Sequence, residues 1–179
     1  MPGWAFVGLA AVAGVAIAVA VNAWLLGVTQ LTSASMSPTL DPGERVLFWK
    51  VGGVDRGDVI VFDGRDSMVP AEHPPAEFVK RVIGIGGDRV SCCTAGRILV
   101  NGVPVAEPYV SPSAVDHTAF EVQVPPGKLW VMGDQRNRSA DSRAHLGDPG
   151  GGFVSVDRVS GRVLAVVWPA RAARWLDES

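Results

Sequence analysis

Two hydrophobic regimes divide the chain. From Trp4 to Leu26 it reads WAFVGLAAVAGVAIAVAVNAWLL, with Asn22 the one strongly polar residue, and the first charge anywhere is Asp41. A helix over these 23 residues would be roughly 34 Å long, enough to cross a ~30 Å hydrocarbon core. It would also satisfy its own backbone in lipid, with Trp4 and Trp24 placed near the two interfaces. The pattern predicts an N-terminal membrane anchor over residues 1–28. A cleaved secretory signal is the rival reading, since Val21-Asn22-Ala23 resembles a small-residue cleavage site. Against it, the apolar run continues through Trp24-Leu25-Leu26 and no Lys or Arg precedes it.

Residues 29–179 follow a different rhythm, of short runs rich in Val separated by turn signals. Val46–Trp49, Asp58–Phe62, Phe78–Ile83, Arg97–Val100, Glu121–Val124, Leu129–Met132 and Arg162–Val167 read as strands. Between them fall Asp41-Pro42-Gly43, Gly52-Gly53, Asp63-Gly64, Asn101-Gly102, Pro125-Pro126-Gly127 and Asp148-Pro149-Gly150. Asn101-Gly102 lies between Ile98-Leu99-Val100 and Val103-Pro104-Val105, a hairpin signal. The stretch from Arg65 to Ala76 is Pro-rich and reads as a surface loop. With no long amphipathic helical repeat, the expectation is a mainly β protein. An all-β body over 29–179 would carry a small β insertion at about 91–124 and follow one N-terminal transmembrane helix.

Composition narrows the function classes. The formal net charge of −2 gives no electrostatic case for nucleic-acid binding. The two cysteines, Cys92 and Cys93, are adjacent, which argues against a metal site. They read as two small, partly buried residues, with a vicinal disulfide as the alternative outside the cytoplasm. Only three of the 16 basic residues are lysines: Lys50, Lys80 and Lys128.

Lys80 stands out among them. In a strand over Phe78–Ile83, alternation puts Phe78, Lys80 and Val82 on one face and Arg81 on the other. Burial among apolar neighbours lowers a lysine's pKa towards the neutral amine that a general base requires. Ser35 lies in Ser33-Ala34-Ser35-Met36-Ser37-Pro38, nine residues beyond Leu26 and therefore within roughly 30 Å of the bilayer surface. By itself that stretch reads as a turn or linker. The block from Gly133 to Arg143 is dense in hydrogen-bonding groups and reads as a solvated turn or as a network orienting other groups. His73, His117 and His145 all lie outside apolar strands, though spacing leaves a Ser-His-Asp triad open.

Taken in order, these blocks resemble bacterial type I signal peptidases, also called leader peptidases. Ser33-Ala34-Ser35-Met36-Ser37-Pro38-Thr39-Leu40 is similar to the family's S-x-S-M-x-P-T-L box. Arg56-Gly57-Asp58 and Phe78-Val79-Lys80-Arg81-Val82-Ile83-Gly84 match its next two blocks. Gly133-Asp134 through Ser139, Asp141, Ser142 and Arg143 matches its last, followed by Gly152-Phe153-Val154. Gln135 and Asn137-Arg138 depart from the usual residues of that block without removing a reacting group.

The resemblance implies a serine endopeptidase that removes signal peptides from exported preproteins, cutting after small residues of the Ala-x-Ala type. Ser35 would be nucleophile and Lys80 general base, forming and resolving an acyl-enzyme. Ser33 would help hold the oxyanion and Ser139 would hydrogen-bond the lysine amine. Asp141 and Arg143 would brace the loop, and Met36 would contribute to substrate binding. No metal or organic cofactor is implied, and the partners would be preproteins and membrane lipid. Alternatives are another serine–lysine peptidase, of the plasmid-transfer or self-cleaving repressor type, or a non-catalytic membrane-tethered β module.

The function implies a single-pass protein of the cell membrane with its catalytic body on the extracytoplasmic side. Local charge points the other way, since Arg45 and Lys50 follow the apolar run and no basic residue precedes it. A longer N-terminus carrying basic residues would remove that conflict.

Overall fold

A computed structural model describes residues 24–94, 96–116 and 118–176. The expected anchor falls almost wholly outside these residues, and among them no helix is long and apolar enough to cross a membrane. The described chain is mainly β. Its strands are β1 (Leu26–Gln30), β2 (Arg45–Trp49), β3 (Val59–Asp63), β4 (Glu77–Ile85), β5 (Arg89–Thr94) and β6 (Arg97–Val100). Then come β7 (Val103–Pro104), β8 (Phe120–Gln123), β9 (Lys128–Met132), β10 (Val154–Ser155), β11 (Val159–Trp168) and β12 (Arg174–Trp175).

The larger sheet runs in the order β1-β2-β11-β3-β4-β9-β10, with β12 added to β11; β7-β6-β5-β8 form a second sheet. The pairings between these strands are antiparallel. β3 lies between β11 and β4, and its Val-Ile-Val-Phe run is buried on both faces. That explains a continuous apolar run where a half-exposed strand would alternate. β8 does alternate, with Phe120 and Val122 buried and Glu121 and Gln123 exposed.

Leu26, read above as the last residue of the apolar span, opens β1 and pairs with Trp49. Gly27 permits that pairing, because a Cβ there would fall inside the Phe48 ring. The second sheet occupies the region expected as an insertion and hangs from β4 through the tight turn at Gly86-Gly87. Its apolar cluster (Val90, Ile98, Val100, Phe120 and Val122) continues through Ile83, Trp130 and Met132 into the larger sheet. Cys92 and Cys93 form a vicinal disulfide in β5.

β4 carries the feature that matters for chemistry. Its residues Lys80 to Gly84 are all buried, so both faces of the strand are covered at its centre. Phe78 and Val82 pack with Ile60, Phe62, Leu129 and Val131, whereas Val79 packs with Met36, Leu40, Val59 and Val61. The chain from Leu31 to Leu40 folds over the end of this second group as tight turns, held by Ser37 N to Ala34 O at 3.1 Å and Leu40 N to Met36 O at 3.0 Å.

Candidate active site

Two elements distant in sequence meet at Lys80 in β4. The Lys80 Nζ donates to Ser35 Oγ at 2.8 Å and to its neighbour's carbonyl, Val79 O, at 3.1 Å. Ser33 Oγ lies 3.1 Å from Ser35 Oγ. Lys80 is 4% exposed and Ser35 7%. Strand alternation brings the amine onto the Phe78 side of β4, 5.9 Å from that ring's centroid. Burial, the largest influence, pushes the amine down to about 8, against the opposing pull of the Asp141 and Asp134 carboxylates. A minor neutral fraction, about 9% at pH 7, follows, with the nitrogen 2.8 Å from a serine hydroxyl.

The loop from Gly133 to Arg143 packs directly on the serine. Gln135 N donates to Ser35 O at 3.0 Å. Gly133 is required there: a Cβ would lie 2.4 Å from Ser35 O and 2.3 Å from Ser139 Oγ. Its own N–H donates to Asp141 Oδ2 at 3.0 Å. Arg143 clasps the same carboxylate, Nε to Oδ1 at 2.9 Å and Nη2 to Oδ2 at 2.7 Å. Asp141 also caps the 3₁₀ turn Ser142–His145, and Ser142 Oγ accepts from Val131 N at 3.0 Å.

Two of the sequence-derived residues sit differently from the expected arrangement. Ser139 lies beside Gly133, but among the described residues its buried hydroxyl has no hydrogen-bond partner and so makes no bond to the Lys80 amine. Met36 is fully buried in the cluster with Leu31, Leu40, Val46 and Val163, so its side chain faces the core and no open surface. Neither described histidine reaches the serine: His73 Nδ1 contacts Pro74 O and His145 Nδ1 contacts Asp148. His117 lies outside the described residues.

Sequence reasoning passed over a buried ion pair. Arg81, on the opposite face of β4 from Lys80, meets Asp134 with Nε to Oδ1 at 2.9 Å and Nη2 to Oδ2 at 2.8 Å. Their side chains are 4% and 0% exposed. Arg81 Nη1 also donates to Gly57 O at 2.7 Å, and Thr39 Oγ1 to Asp134 Oδ2 at 2.5 Å. Asp134 thereby links three pieces of chain: the turn after Ser35, β4 and the Gly133 loop. A planar guanidinium suits such bidentate pairing. The available signal was an arginine set in an apolar strand.

The model of the family described as "Signal peptidase, peptidase S26" matches residues 4–168. Signal peptidase I of Mycobacterium tuberculosis (strain ATCC 25618 / H37Rv) is 36% identical over 193 residues, covering 81% of this chain and 65% of the relative. The chain thus spans just under two thirds of that relative's length. Signal peptidase I of Bacillus licheniformis is 34% identical over 181 residues, covering 94% of this chain and 90% of the relative. Among solved structures, a signal peptidase I from Enterococcus faecalis V583 is 28% identical with a TM-score of 0.48, covering 63% of this chain and 97% of that chain. The family match over residues 4–168 and relatives above 30% identity agree: the chain belongs to the signal peptidase family S26.

Proposed function

We propose that this chain is a membrane-tethered serine endopeptidase that removes signal peptides from exported preproteins, with Ser35 as nucleophile and Lys80 as general base. The observation that carries this reading is the 2.8 Å contact between Lys80 Nζ and Ser35 Oγ, at an amine depressed to about 8. The neutral amine takes the hydroxyl proton as Oγ attacks the scissile carbonyl, then delivers it to the leaving amine. A water, deprotonated by the same lysine, resolves the acyl-enzyme. No metal or organic cofactor enters these steps.

Ser33 Oγ, 3.1 Å from the nucleophile, and the Ser35 backbone N–H are the donors assigned to the oxyanion; such a donor is worth ~3–4 kcal/mol in other proteases. Ser139, whose hydroxyl faces the crowded space at Gly133, is assigned to the amine once substrate closes the site. Catalytic hydrogen bonds commonly tighten only in the substrate complex. β9 pairs with β4 only from Arg81 to Ile85, which leaves Glu77–Val79 without a strand partner on that side among the described residues. An extended substrate fits along this edge by adding a strand. The specificity expected from the family is for small residues, and Met36 enters as the core support beneath Ser35.

The apolar run that precedes β1 (Leu26–Gln30) is assigned as the anchor, shorter at its end than the 1–28 expected because Leu26–Val28 pair with β2, with the body that follows outside the cytoplasmic membrane. Anchoring raises the effective concentration of membrane-inserted substrate near Ser35. The test is cleavage of an Ala-x-Ala preprotein by the detergent-solubilised chain. Ser35→Ala and Lys80→Met should each abolish cleavage while near-UV circular dichroism stays native; full activity in either folded variant would sink the assignment. Protection of the β body from protease added to intact spheroplasts would contradict its orientation.

A further inference from the structure

The segment between β7 and β8 leaves the second sheet and returns to the larger one, where it touches three arginines of the site in turn. Glu107 pairs with Arg136 Nη2 at 2.6 Å. The Tyr109 ring lies over Arg81, 3.8 Å from Cζ to centroid. Asp116 pairs with Arg143 Nη1 at 2.6 Å. Between them, Asn137 Nδ2 donates to Ser113 O at 3.1 Å. At the far end the segment passes β5, with Asp116 O 3.6 Å from Cys93 Sγ.

Each of those arginines also donates to the loop beside Ser35. Arg81 holds Asp134, Arg136 Nε donates to Gly133 O at 2.9 Å, and Arg143 holds Asp141 and, through Nη2, Arg136 O at 2.8 Å. Among the described residues the segment makes no hydrogen bond to Ser35 or Lys80, but it contacts the three arginines that hold Gly133, Asp134 and Asp141.

Arg81 is the most telling case. A guanidinium donates only in its plane, and here Asp134 and Gly57 O engage it there. Tyr109 covers one of its faces. An aromatic ring over that face attracts the cation and keeps water from the ion pair. Water admitted at this point would weaken the pair by raising the local dielectric, freeing Asp134 and, through Gly133 and Gln135, the carbonyl of Ser35.

We propose that the segment from Glu107 to Asp116 is a positioning strap for the Ser35–Lys80 site, with Tyr109, seated on the Arg81–Asp134 pair, as its principal positioning residue. This rests on the Ser35–Lys80 reading above. The strap acts on the alignment of nucleophile and base, so its loss lowers turnover and leaves substrate affinity intact. The ring matters and the hydroxyl does not, because the hydroxyl's contact is a long one, 3.5 Å to Glu107.

The experiment measures kcat and KM for the full chain in detergent, comparing Tyr109→Leu, Tyr109→Phe, Glu107→Gln and Lys80→Met with the parent. Displacing reacting groups by an ångström can cost about a hundredfold, so a partial loosening should cost about tenfold. Tyr109→Leu is expected to lose about tenfold in kcat with KM within about twofold, and Tyr109→Phe to restore at least half of the parent kcat. Folded Tyr109→Leu with parental kcat, a loss expressed in KM, or equal losses in Leu and Phe would each overturn the proposal. Should Tyr109→Leu lose its near-UV signal, Glu107→Gln decides: it is expected to lower kcat about threefold or more, and an unchanged kcat overturns the strap. Inactive Lys80→Met beside a normal Tyr109→Leu refutes the strap alone. Active Lys80→Met refutes the serine–lysine reading and the strap with it.

Discussion

Replacing Lys80 by methionine should make the protein more stable as it makes it inactive. In water the amine holds its proton up to 10.5; in the folded chain burial brings that down to about 8. At about 1.4 kcal/mol per pKa unit, the gap corresponds to roughly 3 kcal/mol of native-state cost whenever Lys80 is charged. The sign follows from proton linkage. Between about pH 8 and 10.5 the unfolded chain binds a proton that the folded chain has released, so the Lys80 contribution to stability rises with pH there. The cost is complete below about pH 8 and gone by 10.5. Methionine keeps an unbranched stem of similar reach without the charge, and loses the bond to Ser35 Oγ, worth about 1 kcal/mol. Lys80→Met should therefore gain about 2 kcal/mol at pH 6, the margin shrinking steadily above pH 8. Urea unfolding of parent and variant in the same detergent, followed by near-UV circular dichroism at pH 6, 8 and 9.5, measures it. A variant less stable than the parent at pH 6, or a margin that does not change with pH, would refute a desolvated amine as the basis of catalysis.

The same amine should shape the rate: with its midpoint at about 8, the neutral fraction climbs from about 9% at pH 7 to about 91% at pH 9. kcat/KM should rise about tenfold over that range and level off; a slope of one persisting beyond pH 9.5 would mean an unperturbed lysine. Gly133→Ala forces a Cβ to 2.4 Å from Ser35 O, and is expected to destabilise by about 1–3 kcal/mol and to lower kcat at least about a hundredfold. Parental kcat in that variant would show that the loop does not align the serine. Arg81→Met and Asp134→Leu should each cost about 3–5 kcal/mol by leaving a buried charge unpaired, and the double variant should cost less than either alone. Additive losses in urea unfolding would exclude the coupling.

The strands that could be read in advance were those with their own local pattern. β2, β6, β8 and β9 begin within a residue of where alternation and flanking turns put them, and β3 showed as a buried apolar run. β4 and β11 proved longer than their apolar cores, because pairing extends them through Glu77 and through Val159–Ser160. β1 was hidden in the tail of the apolar N-terminal run, where Leu26-Gly27-Val28 carries no period of its own. β5 holds Ser91-Cys92-Cys93-Thr94, which has no apolar alternation, and becomes a strand because β6 and β8 pair with it on either side. β10 and β12 have two residues each, too short for any periodicity.

The site divides along the same physical line. The burial of Lys80 could be read because strand alternation is local, and Ser35, Ser33, Asp141 and Arg143 stood out as candidates because they lie in short ordered blocks; the unpartnered hydroxyl of Ser139 had no such signal. Asp134 belonged to such a block too, yet its partner Arg81 is 53 residues away in sequence, and the links from Glu107, Tyr109 and Asp116 span 29, 28 and 27 residues. No local pattern encodes pairings of that kind. They are nonetheless a consequence of Lys80: a site dry enough to bring an ammonium down to about 8 is one in which any other charge is costly unless paired. Burying Lys80 therefore commits its surroundings to Arg81–Asp134, Arg143–Asp141 and Arg136–Glu107. Two of those carboxylates, Asp141 and Asp134, in turn hold the amine's pKa higher than burial alone would leave it. The arginines that neutralise them set how far the amine can fall, so the reactivity of Lys80 depends on ion pairs that its own burial makes necessary.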